Sequence, residues 1–373
     1  MPQHSWYSLK DPGSTDSPAL LLYPDRIASN IVSMISIAGN PGRLVPHVKT
    51  HKMSFLVKMQ LEKGIRNFKC ATIPEAEMLA QTGVDRVLLA YQLNEEKAAR
   101  LLRLSERFNS IQFASLVDNL QSARMLNDLS KRNGLTANVY LDIDNGMHRT
   151  GFPVDGDVAA LYQSLTCLSN IRVLGLHVYD GHIVDTAWWE REAHCNEAFV
   201  PVENAVEKIM EAGMSAPEIV AGGSPTFPFH ARRGPVLCSP GTPLLWDMGY
   251  KLLLPDMPFL HAAVLLTRII SKPREGTVTT DLGYKSVSSE NTIDKRVFFL
   301  NLNNYTVLSQ DEEHLVVKVG NDDWAALKVG DVLYAVPFHI CPTVSLYERT
   351  QVVLHKEIVC QWEVEARNRI VTI

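Results

Sequence analysis

Cysteine, basic clusters and long apolar runs are all scarce in this 373-residue sequence. Its six cysteines (Cys70, Cys167, Cys195, Cys238, Cys341 and Cys360) are scattered and contain no CxxC pair, which excludes a disulfide framework and a four-cysteine zinc ribbon. Reduced thiols are expected, and with them a cytoplasmic protein. The formal net charge is -5 and no polybasic stretch is present, which argues against nucleic acid or an anionic membrane as a partner. The most apolar segment, FLHAAVLLTRII from Phe259 to Ile270, contains His261 and Arg268 and is too short to span a bilayer. Met1 to Lys10 lacks the basic start and apolar run of a secretory signal. Repeats and low-complexity tracts are missing too. What remains, with 46% apolar and 21% charged residues, is enough for a large core and two domains, with a small molecule as the expected ligand.

Short β-type runs alternate with helical spacing over most of the chain. The runs are ALLLYP (19–24), LVPHVK (44–49), FKCAT (68–72), RVLLAYQ (86–92), FASLVD (113–118), NVYLDID (138–144), VLGLHVYD (173–180), EIVAGG (218–223) and VLCSP (236–240). Helices are predicted between them, for instance over 75–81 and 95–108, where apolar residues return every three or four positions. Strands joined by helices pair in parallel, and roughly eight such units predict a closed (β/α)8 TIM-like barrel over residues 19–257. An open doubly wound sheet is the alternative. Beyond Met257 the runs are short and β-rich, separated by Gly, Asp and Asn, which predicts an antiparallel β domain over 258–373. Residues 1–18 are expected to join that domain.

In such a barrel the chemistry sits at the carboxyl ends of the strands, and here those ends are polar. The second run ends in His47, Lys49 and His51, which the alternation places on one face of an extended strand, with Lys52 close behind. Another ends in Asp142 and Asp144 and leads into NGMHRTG with Arg149. A third ends in His177, Tyr179 and His182. Two glycine turns follow: Gly222, Gly223, Ser224 and Thr226, then Ser239, Gly241 and Thr242. Such turns expose backbone N–H groups and can cradle a phosphate, although most are only turns. A lysine in a barrel mouth with a phosphate cradle, an arginine and a tyrosine points to pyridoxal 5'-phosphate. The amine must lose its proton to condense with the aldehyde, and a dry site with cationic neighbours favours that. Both Lys49 and Lys52 are available.

The segment PHVKTHK resembles the lysine motif of the D-threonine aldolase and D-serine dehydratase family, whose barrels are alanine-racemase-like. FKCATIPEAEML, NGMHRTG, AGGSPTF, CSPGT and FHICPTVSLYE resemble further family segments, so the likeness covers nearly the whole chain. It implies that Lys49 carries the cofactor, that Arg149 faces the pyridine nitrogen and that Tyr179 contacts the ring. It also implies a cradle from Gly222, Gly223, Ser224, Thr226, Ser239, Gly241 and Thr242. His182 is the candidate for moving a hydroxyl proton. His47 and His51 either orient Lys49 and the phosphate or satisfy neighbouring backbone groups.

His339 and Cys341, one residue apart in what reads as a β-type segment, share a face, and imidazole plus thiolate suits zinc. A His and a Cys merely packed near a turn are the competing account. The resemblance implies a divalent metal, zinc or manganese, held by this pair. Within the family Cys341 leans toward the dehydratases, whereas PTV and LYE look like the aldolases. The implied reaction is retro-aldol cleavage of a D-3-hydroxy amino acid to glycine and an aldehyde. The alternative is dehydration of D-serine or D-threo-3-hydroxyaspartate to a keto acid and ammonia. A racemase would want no metal, so the HxC pair argues against one. A homodimer is implied as well.

Overall fold

The structure is a computed structural model that describes residues 5–370 and residue 372, so the first four residues of the expected N-terminal segment lie outside the described residues. The chain divides into two compact units. One comprises the residues up to Ile31, Thr50–Met53 and Thr242–Arg367; the other comprises Val32–Lys49, Ser54–Gly241 and the residues from Asn368 onward.

In chain order the elements begin with β1 (Ala19–Leu22), α1 (Pro24–Ala38), α2 (Ser54–Leu61), β2 (Asn67–Cys70), α3 (Ile73–Gln81), β3 (Arg86–Gln92), α4 (Glu95–Arg107), β4 (Gln112–Val117) and α5 (Leu120–Arg132). They continue with β5 (Ala137–Asp144), β6 (Phe152–Pro153), α6 (Val158–Thr166), β7 (Ile171–Val178), α7 (Trp188–Glu211), β8 (Glu218–Ala221), α8 (Phe227–His230) and β9 (Leu237–Cys238).

Seven strands of this second unit pair in parallel in the order β2-β3-β4-β5-β7-β8-β9, with β6 against the end of β5. Residues 44–47 close the ring. Leu44 bridges Cys238 on one side and His47 bridges Lys69 on the other, and the amides of Val45 and Lys69 donate to the carbonyls of Cys238 (2.8 Å) and Pro46 (2.9 Å). Eight parallel segments therefore form a closed barrel, as the alternation of strands and helices predicts.

Local signals set the helices. Thr72 caps α3 by accepting from the Glu75 amide, and the Glu75 carboxylate reaches back to the Ala71 amide at 2.7 Å; Asn94 and Asn119 cap α4 and α5 in the same way. Strands β7 and β8 approach so closely at Gly175 that a Cβ there would fall 1.8 Å from the Glu218 carbonyl oxygen. Val45, Leu88, Ala114, Leu116, Tyr140 and Val220 fill the barrel interior. At the amino ends of the strands Arg86 makes a bidentate pair with Glu218 and bonds the Tyr140 hydroxyl, a contact that closes the floor and leaves the other end for chemistry.

In the first unit the remaining elements are α9 (Met248–Leu253), β10 (Ala263–Arg274), β11 (Thr277–Thr280), β12 (Val297–Phe299), β13 (Thr306–Gln310), β14 (Leu315–Lys318), α10 (Asn321–Ala326), β15 (Val332–Pro337), α11 (Ile340–Val344), β16 (Arg349–Leu354) and β17 (Glu357–Glu363). They build a mostly antiparallel sheet in the order β13-β14-β11-β10-β1-β16-β17, with β15 paired to both β10 and β12.

The run at 19–24, counted from sequence with the barrel strands, is β1 of this sheet. It lies antiparallel to β10 and parallel to β16, because all four of its residues are buried and Leu21 packs with Val264, Leu266 and Val353. Residues 242–257, also counted with the barrel, belong to this unit. The Leu9 amide donates to the Tyr334 hydroxyl at 3.0 Å, and the Lys10 amide donates to the Lys356 carbonyl at 2.9 Å. Among the described residues no helix is long and apolar enough to cross a membrane.

Candidate active site

The carboxyl ends of the barrel strands gather the polar side chains. Lys49, Lys69, Asp142, Arg149, His177 and Tyr179 line one cavity, together with His47. The extended face expected for His47, Lys49 and His51 is not formed, because Val48–Thr50 is a single 3-10 turn. His47 Nδ1 accepts from the Lys49 amide at 3.2 Å and His51 Nδ1 from the Met53 amide at 3.0 Å. Each ring thus satisfies a backbone donor two residues on. Burial and the charge of Lys52 push the His51 imidazole down to about 3, so it stays neutral.

Asp142 on β5 and His177 on β7 are directly paired in register, and the carboxylate also accepts from Gln92 at 2.7 Å and Thr150 at 3.1 Å. Burial pushes the Asp142 carboxyl up, but bonds from His177, Gln92 and Thr150 outweigh it and hold it below the ordinary value. Burial, then the charge of Lys69, lowers the His177 imidazole. Arg149 is exposed, and its guanidinium carbon stands 4.9 Å from the Tyr179 ring centroid. Asp144 shapes the loop that follows β5 and leads to Arg149 by accepting from the amides of Gly146 and His148.

Gly222 has φ +75°, which opens the first glycine turn, and a Cβ on Gly223 would come within 3.1 Å of the Tyr179 ring. The Thr226 hydroxyl is engaged within the turn. It donates to Asp180 at 2.7 Å and accepts from the Gly223 amide at 3.3 Å, so it braces the turn from within. Asp180 also meets His230 Nε2 at 2.7 Å and, with Cys195, forms a buried group of three ligand-type side chains. Burial pushes the Cys195 thiol up to about 12, which keeps it protonated, and Arg233 lies 3.2 Å from His230 Nδ1. Hydrogen bonds tie Asp180, Cys195, His230 and Arg233 into one buried network.

His182 is exposed and lies in a separate cleft with Asp185, His194 and Glu197; it does not line the cavity of Lys49. Sequence reasoning missed Lys69. The signal was there: one lysine inside the otherwise uncharged strand β2, which alternation turns toward the barrel interior.

In the first unit, His339 and Cys341 are not in a strand. His339 precedes α11 and Cys341 sits in its first turn, because the Asp247 carboxylate accepts from the Ile340 amide at 3.0 Å and starts the helix there. The two side chains nevertheless act on each other electrostatically, and His339 Nδ1 lies 2.5 Å from Glu290 Oε1. Burial lowers the His339 imidazole, but Cys341 and Glu290 together raise it to about 9. Burial raises the Cys341 thiol, while His339 and a bond to Thr50 at 3.3 Å bring it below its ordinary value. Burial pushes Asp247 up to about 6. Thr242 Oγ1 lies 3.9 Å from Cys341 Sγ.

Comparison with known proteins gives two family matches: the alanine racemase N-terminal domain over residues 23–243, more than half the chain, and a serine dehydratase domain over residues 262–353. The chain is 27% identical to a D-threonine aldolase of an Arthrobacter species over 357 residues, covering 94% of this chain and 93% of that enzyme. It is 26% identical to a 3-hydroxy-D-aspartate aldolase of Paracoccus denitrificans, covering 96% of this chain and 94% of that enzyme. Among solved structures, D-threonine aldolase from Filomicrobium marinum superimposes with a TM-score of 0.88 at 23% identity, covering 96% of this chain and 98% of that one.

Proposed function

Because the chain belongs to the alanine racemase N-terminal domain family, we propose that it is a pyridoxal 5'-phosphate-dependent lyase that cleaves D-3-hydroxy amino acids to glycine and an aldehyde. The observation that carries this reading is one cavity at the barrel mouth lined by Lys49, Arg149 and Tyr179, in a chain similar over 94% of its length to a D-threonine aldolase.

The residues present fit the cofactor. Lys49 and Arg149, with the ionisable amine of Lys69, line the cavity with Asp142 as its acid, a set that suits a dianionic phosphate. At Gly222 a Cβ would fall 2.6 Å from the His230 ring, and at Gly223 3.1 Å from the Tyr179 ring, so glycine keeps the turn's backbone close to both. When bound, the cofactor supplies an electron sink for bond cleavage at Cα. Lys49 Nζ is the atom that would hold its aldehyde, and as a free amine it would move a proton at Cα. Arg149 and Tyr179 would orient the ring. Gly222, Gly223, Ser224, Ser239, Gly241 and Thr242 would hold the phosphate, with Thr226 acting through Asp180.

The donor chemistry of His339 and Cys341 fits a divalent ion, zinc by preference, since a thiol lowered by its neighbours is ready to bind as thiolate. Such an ion would polarise a β-hydroxyl as a Lewis acid. Cys341 and the serine dehydratase domain match favour a second reading, dehydration of a D-3-hydroxy amino acid to a keto acid and ammonia. The reading also includes a homodimer, which the family resemblance implies, and a cytoplasmic location.

The test is a spectrum and a product assay. Protein supplied with the cofactor should absorb at about 410 to 430 nm, the range of a lysine-bound pyridoxal cofactor, and Lys49→Ala should lose that band. D-Threonine, D-serine and D-threo-3-hydroxyaspartate are then assayed for glycine plus aldehyde and for keto acid plus ammonia. A band that survives in Lys49→Ala refutes the assignment of that lysine.

A further inference from the structure

Lys69 has no part in the chemistry above beyond its charge. It is a lysine in a buried strand, itself only 3% exposed, and an ammonium in such a place is costly unless something compensates it. Its Nζ donates to Ser239 Oγ at 2.6 Å and lies 3.3 Å from His177 Nε2. Both partners are neutral groups. Ser239 passes the contact on, because its hydroxyl donates to the Gly222 carbonyl at 2.8 Å. One amine on β2 is thereby tied through a single serine to both glycine turns.

The charged and titratable groups around this amine do not neutralise it. Lys49 and His47 come from the closing segment and Arg149 from the loop after β5. His177 comes from β7, with Tyr179, whose ring centroid is 5.7 Å from Nζ, and Asp180 just beyond it. Of the two acids that act on it, Asp142 is engaged by His177, Gln92 and Thr150, and Asp180 by Thr226 and His230.

We propose that Lys69 is a positioning residue that supplies counter-charge for the cofactor's phosphate, tying the two glycine turns together through Ser239 and taking up a proton when the anion binds. The inference rests on the cofactor reading. Burial, then the charge of Lys49, brings the amine down to about 7, so in the free protein it loses its proton just above neutrality. An arriving dianion favours the charged form. Affinity for the phosphate therefore falls as pH rises above that value, by at most about tenfold per pH unit for one proton.

Pyridoxine 5'-phosphate tests this, because it carries the phosphate but has an alcohol where the aldehyde would condense with Lys49. Its binding is measured by calorimetry at about pH 7 and about pH 9, both above the second phosphate ionisation near 6, for wild type, Lys69→Met and Lys69→Arg. Relative to Lys69→Met, wild type should bind roughly tenfold or more tightly at the lower pH and lose most of that advantage at the higher one. Lys69→Arg, which cannot be deprotonated, should keep its advantage at both.

A folded Lys69→Met protein with wild-type affinity and pH response overturns the proposal. If Lys69→Met does not fold, Lys69→Arg decides: an affinity that falls with pH as steeply as wild type overturns it equally. A wild type that binds neither pyridoxal 5'-phosphate nor pyridoxine 5'-phosphate overturns the cofactor reading instead.

Discussion

His177 Nδ1 and Asp142 Oδ1 lie 2.7 Å apart, and both side chains are almost wholly buried inside the barrel. The carboxylate accepts a hydrogen bond from Nδ1–H, which leaves Nε2 as the acceptor facing Lys69. His177 is a neutral imidazole, so replacing the carboxylate weakens buried hydrogen bonds and leaves a donor without its acceptor, at a cost of about 1–3 kcal/mol. Asp142→Asn should lower the unfolding free energy by that order in denaturant titration. The pH dependence has a definite sign. The folded carboxyl is held below its unfolded value, so its contribution is complete above about pH 4 and is lost as pH falls through the lowered value. Unchanged stability in Asp142→Asn would show that the pair contributes nothing.

Lys69 predicts the opposite window. Its folded value of about 7 lies below the unfolded value near 10.4, so between them the unfolded chain binds the extra proton and stability rises with pH. Relative to Lys69→Met, the protein without cofactor should gain about 1.4 kcal/mol per pH unit across that window. Urea titrations at about pH 7.5 and about pH 9.5 measure the difference, and parallel behaviour of the two proteins would refute it.

The barrel was legible because periodicity is a local property. The run RVLLAYQ is β3 residue for residue, and the spacing over 95–108 is α4 to within one residue. Pairing is not local, which is why ALLLYP read like one more barrel strand although it lies in the other sheet. The site divides along the same line. Lys49, Arg149 and Tyr179 follow strand ends and were found there. Lys69 sits inside a strand, and its meaning depends on Ser239 and His177, 170 and 108 residues away. His51 and Thr226 had the right chemistry for a ligand, but neighbours that only the fold reveals engage them.

Asp180 predicts a separable effect on the glycine turn. Its carboxylate holds Thr226, which accepts from the Gly223 amide, and the same group meets His230. Asp180→Ala leaves the buried His230 and Thr226 without this partner and should cost on the order of 3–5 kcal/mol. With the brace gone, affinity for pyridoxine 5'-phosphate should fall roughly tenfold in whatever protein remains folded, since the turn must be ordered on binding. Asp180→Asn keeps the shape and one acceptor and should fall between. Equal affinity in all three proteins would mean that the turn holds its form without Asp180.

Ligand softness gives the last prediction. His339 and Cys341 offer imidazole and a thiol that His339 and Thr50 bring below its ordinary value, a set that favours zinc, whereas carboxylate oxygen suits manganese. A strong chelator should therefore abolish turnover while leaving the fold and the band at about 410 to 430 nm in place, because Lys49 belongs to the other compact unit. Added zinc should restore turnover. In Cys341→Asp the harder ligand should lower zinc affinity, read by competition with a chromogenic chelator, and raise the activity with manganese relative to zinc. His339→Ala should lose bound metal outright. Full turnover after complete metal removal, or zinc content unchanged in both variants, would show that this pair does not hold the ion and would leave the hydroxyl chemistry to groups of the barrel.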